Sequence, residues 1–432
     1  MTKRSFFIKK SSLLLLLISG IGVLLCALGV FLNYEMSNIA AVYVLLMSFS
    51  IVVYVHNNFL LTIMFSVVCY CNYSAMVAEY LSVIRQTLFT TYAGTYIAAK
   101  GVYILLLFMT TIGIMLSFVK ISKTDSISSK DLMCDEKSNI LYIIVAAIEL
   151  LLIYILIFAF GRPDQIGDRG SPTALYEYSI LLFIICFYYG GNNKLCRRST
   201  IAILILFVLQ NFAFGGRITG LQLLIVAYVM VIEERLNLKR ALPIIIVGFV
   251  LLSVIGIERG NLLLGSFDVT EVAKELGEKK FTLDTAYSSY HTSMTFLLAE
   301  ENTTIGTRLS IFVGFLKSII FGRYDTVNSN VSSYTSQMYR HYGGGFLPFF
   351  FEFYLGIFGI YLISMYLMKF IKDIARTDRN SSGLKKCVGV YIVASSFRWY
   401  IYSPIQITRG ILLLVICYEL INMTLKRGKT IG

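Results

Sequence analysis

The stretch LLLLLISGIGVLLCALGVFL, Leu13–Leu32, decides the fold. It carries no charged residue and follows Lys3, Arg4, Lys9 and Lys10. A helix advances about 1.5 Å per residue, so an apolar run of roughly 18 or more residues crosses a hydrocarbon core of about 30 Å. The basic-then-apolar order is also that of a secretory signal. No small-residue cleavage site follows, however, and further apolar runs do, so this run reads as a retained first helix. Comparable runs recur at 38–55, 59–77, 101–119, 139–160, 174–190, 199–214, 218–232, 241–257, 346–369, 387–403 and 410–424. The expectation is an all-α polytopic integral membrane protein with about twelve transmembrane helices. Strands of a membrane barrel would read as short alternating segments instead.

Composition points the same way. Apolar residues make up 57% of the chain and charged residues 15%, against about a quarter charged in soluble domains. The net charge of +13 does not argue for nucleic acid. Basic residues gather at the N-terminus, in 120–137, 194–198, 235–240 and 369–386, and at the C-terminus, which is the positive-inside pattern of topology. That pattern places both termini in the cytoplasm and puts Glu258–Gly345 outside, as one large external loop between helices 9 and 10. The expected organisation is nine helices over 1–257, the external loop over 258–345, and three helices with a cytoplasmic tail over 346–432. Glu79–Lys100 is apolar enough to re-enter the membrane. The eight cysteines fall in spans or inner loops, so no disulfide framework is expected, and no Cys/His spacing suggests zinc.

The outer segments favour Arg where the inner ones favour Lys. A guanidinium offers a planar fork of donors suited to phosphate and carboxylate, so the outer face reads as receiving an anion. Arg217 follows Gly215-Gly216 where the next helix begins, and the plainer alternative is an interfacial, snorkelling side chain. The turn cluster GRPDQIGDRGSPT, 161–173, reads equally as a rigid solvated loop. Within the long loop, Thr270–Lys280 has a charged helical pattern, and Gly306–Phe321 is too short to span, so it lies in the interface or re-enters. Gly343-Gly344-Gly345 permits a sharp turn and close approach of a ligand. Glu352 and Arg398 stand at similar depth from the outer ends of their spans, and intramembrane charges mark a functional interior or a buried pair. They are expected to face one another in an outward-opening cavity, or to form a structural ion pair. Glu149 and Glu419 receive no role.

Gly215-Gly216-Arg217 opens an apolar span. A large external loop then ends in His341-Tyr342-Gly343-Gly344-Gly345, and the next span carries Glu352 and Gly356-Ile357-Phe358-Gly359. This arrangement resembles the Wzy-type polymerases of bacterial O-antigen and capsule synthesis, through overall topology and these two short patterns. The resemblance implies a glycosyltransferase of GT-C type at the outer face of the bacterial inner membrane. Such an enzyme moves a growing glycan from undecaprenyl pyrophosphate onto a fresh lipid-linked repeat unit. The implied partners are undecaprenyl-pyrophosphate-linked glycans in the lipid bilayer, with a chain-length regulator and a flippase beside them, and no nucleic acid.

A pyrophosphate leaving group needs cations aimed at the charge that develops on it. The resemblance gives that role to Arg217, Arg259 and Arg323, then to Arg340, Arg398 and Arg409. The acceptor hydroxyl needs a base within hydrogen-bond reach, for which the order is His341, Glu352, His291. His56 lies in an inner loop and has no role. Tyr324, Tyr342 and Tyr354 are placed to stack on sugar rings or to form an ordinary aromatic belt. Asp164 with Asp168, and Glu300 with Glu301, do not make a magnesium site, so neither metal nor cofactor is expected. An O-antigen ligase, differing in its acceptor, is the nearest alternative. A flippase is a more distant one, for which two related halves would be expected.

Overall fold

The computed structural model describes residues 10–81, 95–121, 129–136, 138–161, 171–214, 217–231, 270, 274, 284–322, 328–339, 341, 343–378 and 380–431. The protein is a multi-pass membrane protein, all-α apart from one two-residue strand pair with Phe160 opposite Pro172. Among the described residues seven helices are long and apolar enough to cross a bilayer: Lys10–Phe31, Ser37–Val55, Phe59–Leu81, Tyr96–Ser117, Asn139–Phe158, Lys194–Ala213 and Ile405–Lys426.

This corrects the expected count of about twelve, and with it the GT-C-like plan of a single loop between helices 9 and 10. Ala174–Gly190 and Ile218–Val231 are apolar but short. The run 346–369 is two helices, because Gly356 sits at φ +62 and ends the first of them. The run 387–403 divides as well, between Ala394 and Ser396. The run 241–257 lies outside the described residues. A hydropathy pattern registers apolar length but passes over backbone breaks, and that produced the higher number.

The chain forms two compact units, each assembled from separate stretches. The first comprises Met1–Lys123, Asp284–Arg376 and Trp399–Ile405. It holds α1 (Lys10–Phe31), α2 (Ser37–Val55), α3 (Phe59–Met76, continued by a π-helical turn Val77–Leu81) and α4 (Thr95–Ser117). Helix α1 packs on α4 along its small residues. A Cβ at Gly22 would overlap Thr110, one at Gly29 would overlap Tyr103, and Gly113 of α4 lies against Ser19. Small residues let two backbones approach closely where hydrophobicity alone cannot drive association in lipid. The rest of α1, including Leu14, Leu17, Leu24, Val30 and Phe31, is exposed apolar surface suited to lipid. Polar bonds tie the inner helices together: Tyr400 donates to Asn72 Oδ1 at 2.6 Å, and Asn72 donates to Ser48 at 2.9 Å.

The second unit comprises Thr124–Leu283, Thr377–Arg398 and Gln406–Gly432. Its helices are α5 (Asn139–Phe158), α6 (Ala174–Glu177), α7 (Ser179–Gly190), α8 (Lys194–Ala213) and α9 (Arg217–Val231). The carboxyl group of Glu149 on α5 accepts hydrogen bonds from hydroxyls of α8, Ser199 at 2.8 Å and Thr200 at 2.6 Å, which offsets the cost of a polar group between two apolar helices.

The remaining helices in chain order are α10 (Asp284–Glu301), α11 (Ile305–Phe321), α12 (Val331–Thr335), α13 (Leu347–Leu355), α14 (Ile357–Ala375), α15 (Gly383–Ala394), α16 (Ser396–Ile401) and α17 (Ile405–Ile431). Helix α10 was not foreseen. The polar sequence DTAYSSYHTSMTFLLAEE forms a helix packed on α3, α4 and α13, burying Ser289, His291, Thr292, Ser293 and Thr295. Part of the expected external loop is therefore core of the first unit. Helix α11 is a 17-residue helix with an exposed apolar face at Ile305, Leu309, Val313, Leu316 and Ile320. Most of Thr270–Lys280 lies outside the described residues.

Candidate functional site

In the first unit the glycine run folds as the sequence suggests, into a sharp turn. Gly343 and Gly344 both have φ +80 and Gly345 has φ +148, a region that side chains rarely tolerate. The turn receives protein rather than an open channel at its second glycine, where a Cβ would stand 2.9 Å from the Ile401 carbonyl. Gly345 N–H donates to that carbonyl at 3.0 Å, and Phe346 N–H donates to Ser293 Oγ on α10 at 2.8 Å.

His341 stands at the entrance of this turn with both ring nitrogens engaged. Gly343 N–H donates to Nδ1 at 3.0 Å, and Nε2 lies 3.1 Å from the Thr335 hydroxyl. Because Nδ1 accepts, the neutral ring carries its proton on Nε2 and donates it to Thr335, whose own hydroxyl donates to the Val331 carbonyl. Burial holds the imidazole below its usual proton affinity, the Ser332 carbonyl offsets part of this, and His291 lowers it further. His291, on α10, is therefore near enough to His341 for their charges to interact. A neutral His341 would have to release the Gly343 N–H before Nδ1 could take a proton.

Glu352 belongs to a different cluster in the same unit. Lys100 Nζ is 2.8 Å from Glu300 Oε2 and 3.7 Å from Glu352 Oε1, while Arg308 Nη1 is 2.6 Å from Glu300 Oε1. Glu352 is buried and, among the described residues, its Oε2 has no hydrogen-bond partner. Helix α13, which carries it, is too short to be one of the seven membrane-length helices. Burial is the main cause that raises the proton affinity of Glu352, and the charge of Glu300 adds to it, against the pull of Lys100. Burial opposes ionisation of Glu300 as well, but hydrogen bonds from Lys100 and Glu352 and the charge of Lys100 hold it below its ordinary value. Two carboxyls this close resist ionising together. Tyr34 shares the field of this cluster, at the strained backbone angle φ +65 between α1 and α2.

In the second unit two of the sequence-predicted arginines converge. Arg398 Nη1 is 2.6 Å from Glu177 Oε1, and its Nη2 donates to Thr219 at 2.9 Å. Arg409 lies over the ring of Tyr178, 5.6 Å from its centroid. Thr219 is in the first turn of α9, the helix that begins at Arg217. Glu352, expected to face Arg398, has Lys100 beside it in the first unit, and Arg398 has Glu177 beside it in the second. Depth in a span leaves the facing direction of each side chain open, so the sequence does not name these neighbours. Neither Lys100 nor Glu177 stood out, because each lies far along the chain from the charge it meets.

Arg259, Arg323 and Arg340 lie outside the described residues, as do Tyr324, Tyr342, Asp164 and Asp168 and the side chain of Arg217. Tyr354 is buried, its hydroxyl accepting the Val331 N–H at 3.3 Å, so in this structure it is a packing residue. Among the described residues no group of three His, Cys, Asp or Glu side chains is arranged to hold a metal ion. No protein-family model, curated protein or solved structure matches the chain. What stands without analogy is a multi-pass helical membrane protein with a buried acid–base cluster in one unit and a pair of convergent arginines in the other.

Proposed function

We propose that this membrane protein is a glycosyltransferase that polymerises undecaprenyl-pyrophosphate-linked oligosaccharide repeat units into O-antigen or capsular polysaccharide. It acts at the outer face of a bacterial inner membrane, with both termini in the cytoplasm. The observation that carries this reading is that Arg398 and Arg409 meet two adjacent residues, Glu177 and Tyr178, so that among the described residues two guanidiniums stand beside one carboxylate. That excess of positive charge suits a phosphate-bearing group, and the two short patterns shared with Wzy-type polymerases narrow it to a lipid pyrophosphate.

In the reaction the acceptor hydroxyl oxygen bonds to the anomeric carbon of the growing glycan. The bond from that carbon to pyrophosphate breaks, the lipid pyrophosphate leaves with the electron pair, and the hydroxyl proton passes to a base. Arg398 and Arg409, both of the second unit, stabilise the departing charge. Of the sequence-predicted bases, Glu352 has a raised proton affinity and, among the described residues, an unpartnered Oε2, whereas both nitrogens of His341 are engaged. Arginines neutralise the leaving group in this scheme, so transfer proceeds without added divalent metal. Loss of transfer in EDTA-treated membranes, restored by magnesium, would overturn that part.

The reading is tested by deleting the gene and resolving the surface glycan on a gel. Loss of the ladder with one repeat unit still attached supports polymerase. Long lipid-linked chains that never reach their acceptor would make the protein a ligase, and repeat units retained on the inner leaflet would make it a flippase.

A further inference from the structure

We propose that Glu177 and Tyr178 are positioning residues: this adjacent pair aims the guanidiniums of Arg398 and Arg409 at the phosphate groups of the substrate. The inference rests on the reading above, in which those arginines receive a pyrophosphate. It adds two residues that no sequence pattern singled out.

The pair sits on a firmly held support. Thr173 caps the short helix α6, accepting the Tyr176 N–H, and its hydroxyl donates to the Ala159 carbonyl at 2.8 Å. Tyr176 is fully buried and receives a bond from Asn211 at 2.8 Å while donating to Gln210 at 3.0 Å. The next two residues turn outward to the arginines. Glu177 engages Nη1 of Arg398 while Thr219 engages Nη2, and two anchors on separate nitrogens fix the plane of a guanidinium. Tyr178 holds Arg409 by a cation–π contact, with the guanidinium carbon over the ring 5.6 Å from its centroid, which restrains where the cation sits.

The two arginines reach this point from different helices, α16 and α17. The start of α17 is itself fixed, because the Tyr391 hydroxyl donates to the Gln406 carbonyl at 2.6 Å and fills the space beside Gly410. Tyr178 feels the charges of Arg409, Glu177 and Arg398 together, which places all four groups in one electrostatic neighbourhood. A carboxylate inside an anion site repels the ligand, so Glu177 has a use there only if orienting Arg398 outweighs that repulsion. The test turns on this sign.

Full-length protein in lipid nanodiscs is titrated with a fluorescent farnesyl pyrophosphate analogue, with inorganic pyrophosphate as competitor. Arg398→Gln and Arg409→Gln each weaken binding by about 30-fold or more. Glu177→Gln weakens it by roughly tenfold. Tyr178→Leu weakens it by roughly threefold, and Tyr178→Phe, which keeps the ring, binds as wild type. Unchanged binding in both arginine variants overturns the pyrophosphate reading itself. Weakened arginine variants with unchanged or tighter binding in Glu177→Gln overturn only the positioning role of Glu177. Equal loss in Tyr178→Leu and Tyr178→Phe overturns the role of the ring. If Glu177→Gln does not fold, Glu177→Asp keeps the charge on a shorter arm: weaker binding supports the inference and wild-type binding overturns it. Competition by inorganic pyrophosphate shows that the site reads the phosphates, and failure to compete assigns binding to the lipid chain and overturns the proposal.

Discussion

Lys100, Arg308, Glu300 and Glu352 in the first unit close on one another, two cations against two carboxyls, with Glu352 buried and its second oxygen unsatisfied among the described residues. In the second unit Arg398 is met by the carboxylate of Glu177, while Arg409 lies over the ring of Tyr178. Both sites use the same residue types, but the first is organised around a proton and the second around an excess of cation. A proton-holding cluster answers to pH and to loss of either partner. A cation-rich one answers to anions and to the geometry of its supports.

The largest expected effect comes from removing the acid that joins the first cluster. Glu300→Ala leaves Lys100 and Arg308 partly buried without their carboxylate, and breaking such a pair costs about 3–5 kcal/mol. Unfolding in detergent, followed by loss of helical signal, measures it. A cost near that of an exposed ion pair, about 0–1 kcal/mol, would show the cluster to be open to water and would erase the contrast between the units.

Next in size is a substitution that tests the rigidity of the second site. Gly410→Ala places a methyl group where the Tyr391 hydroxyl now stands, and overpacking of this kind costs about 1–3 kcal/mol. Because Gly410 adjoins Arg409, substrate-analogue binding falls along with stability. A variant that loses stability while binding as wild type would separate the start of α17 from the arginine site.

The third effect distinguishes a proton site from a fixed charge. Glu352 holds its proton more tightly in the folded protein than the ordinary value of 4.5, with a folded value of about 8. Protonation therefore favours the folded state. The contribution is fully present below the ordinary value and is lost as pH rises through about 8. The unfolding midpoint of the wild type should fall between pH 6 and pH 9 more steeply than that of Glu352→Gln, which mimics the neutral carboxyl. Parallel slopes would mean that another group carries the dependence.

Much of this architecture was legible in the chain because lipid demands long apolar helices. Seven of the apolar runs, from Leu13–Leu32 to 410–424, fall on observed membrane-length helices. Three of them, 101–119, 199–214 and 410–424, start five residues late, because Lys100, Arg198 and Arg409 read as boundaries although they lie inside the helices. Helix α10 was missed for the opposite reason. Its Ser, Thr and Tyr residues read as loop, yet it contains no Pro or Gly, and small hydroxyl side chains are what closely packed membrane helices use. At the candidate sites the unusual charges, Glu352, Arg398 and Arg409, could be singled out because an ion in an apolar run is costly. Their partners could not, since Lys100 and Glu177 are ordinary boundary residues whose importance arises only from folding.

The smallest effect concerns His341, the residue for which a structural and a chemical role compete most directly. Thr335 accepts its Nε2–H in the neutral ring, and removal of one such bond costs about 1 kcal/mol. In Thr335→Val the imidazole keeps its bond from Gly343 N–H but loses the anchor that orients it, so stability falls by that small amount. If His341 serves only to hold the glycine turn, transfer activity falls no further than the folded fraction does. If the ring moves a proton, the loss of its anchor changes the pH dependence of transfer as well, shifting the limb that reports its ionisation. A shifted limb in Thr335→Val, absent in Glu352→Gln, would return His341 to the reaction and leave Glu352 as the proton store of a structural cluster. An unshifted limb leaves the glycine turn, with its histidine, as the backbone support beside α10.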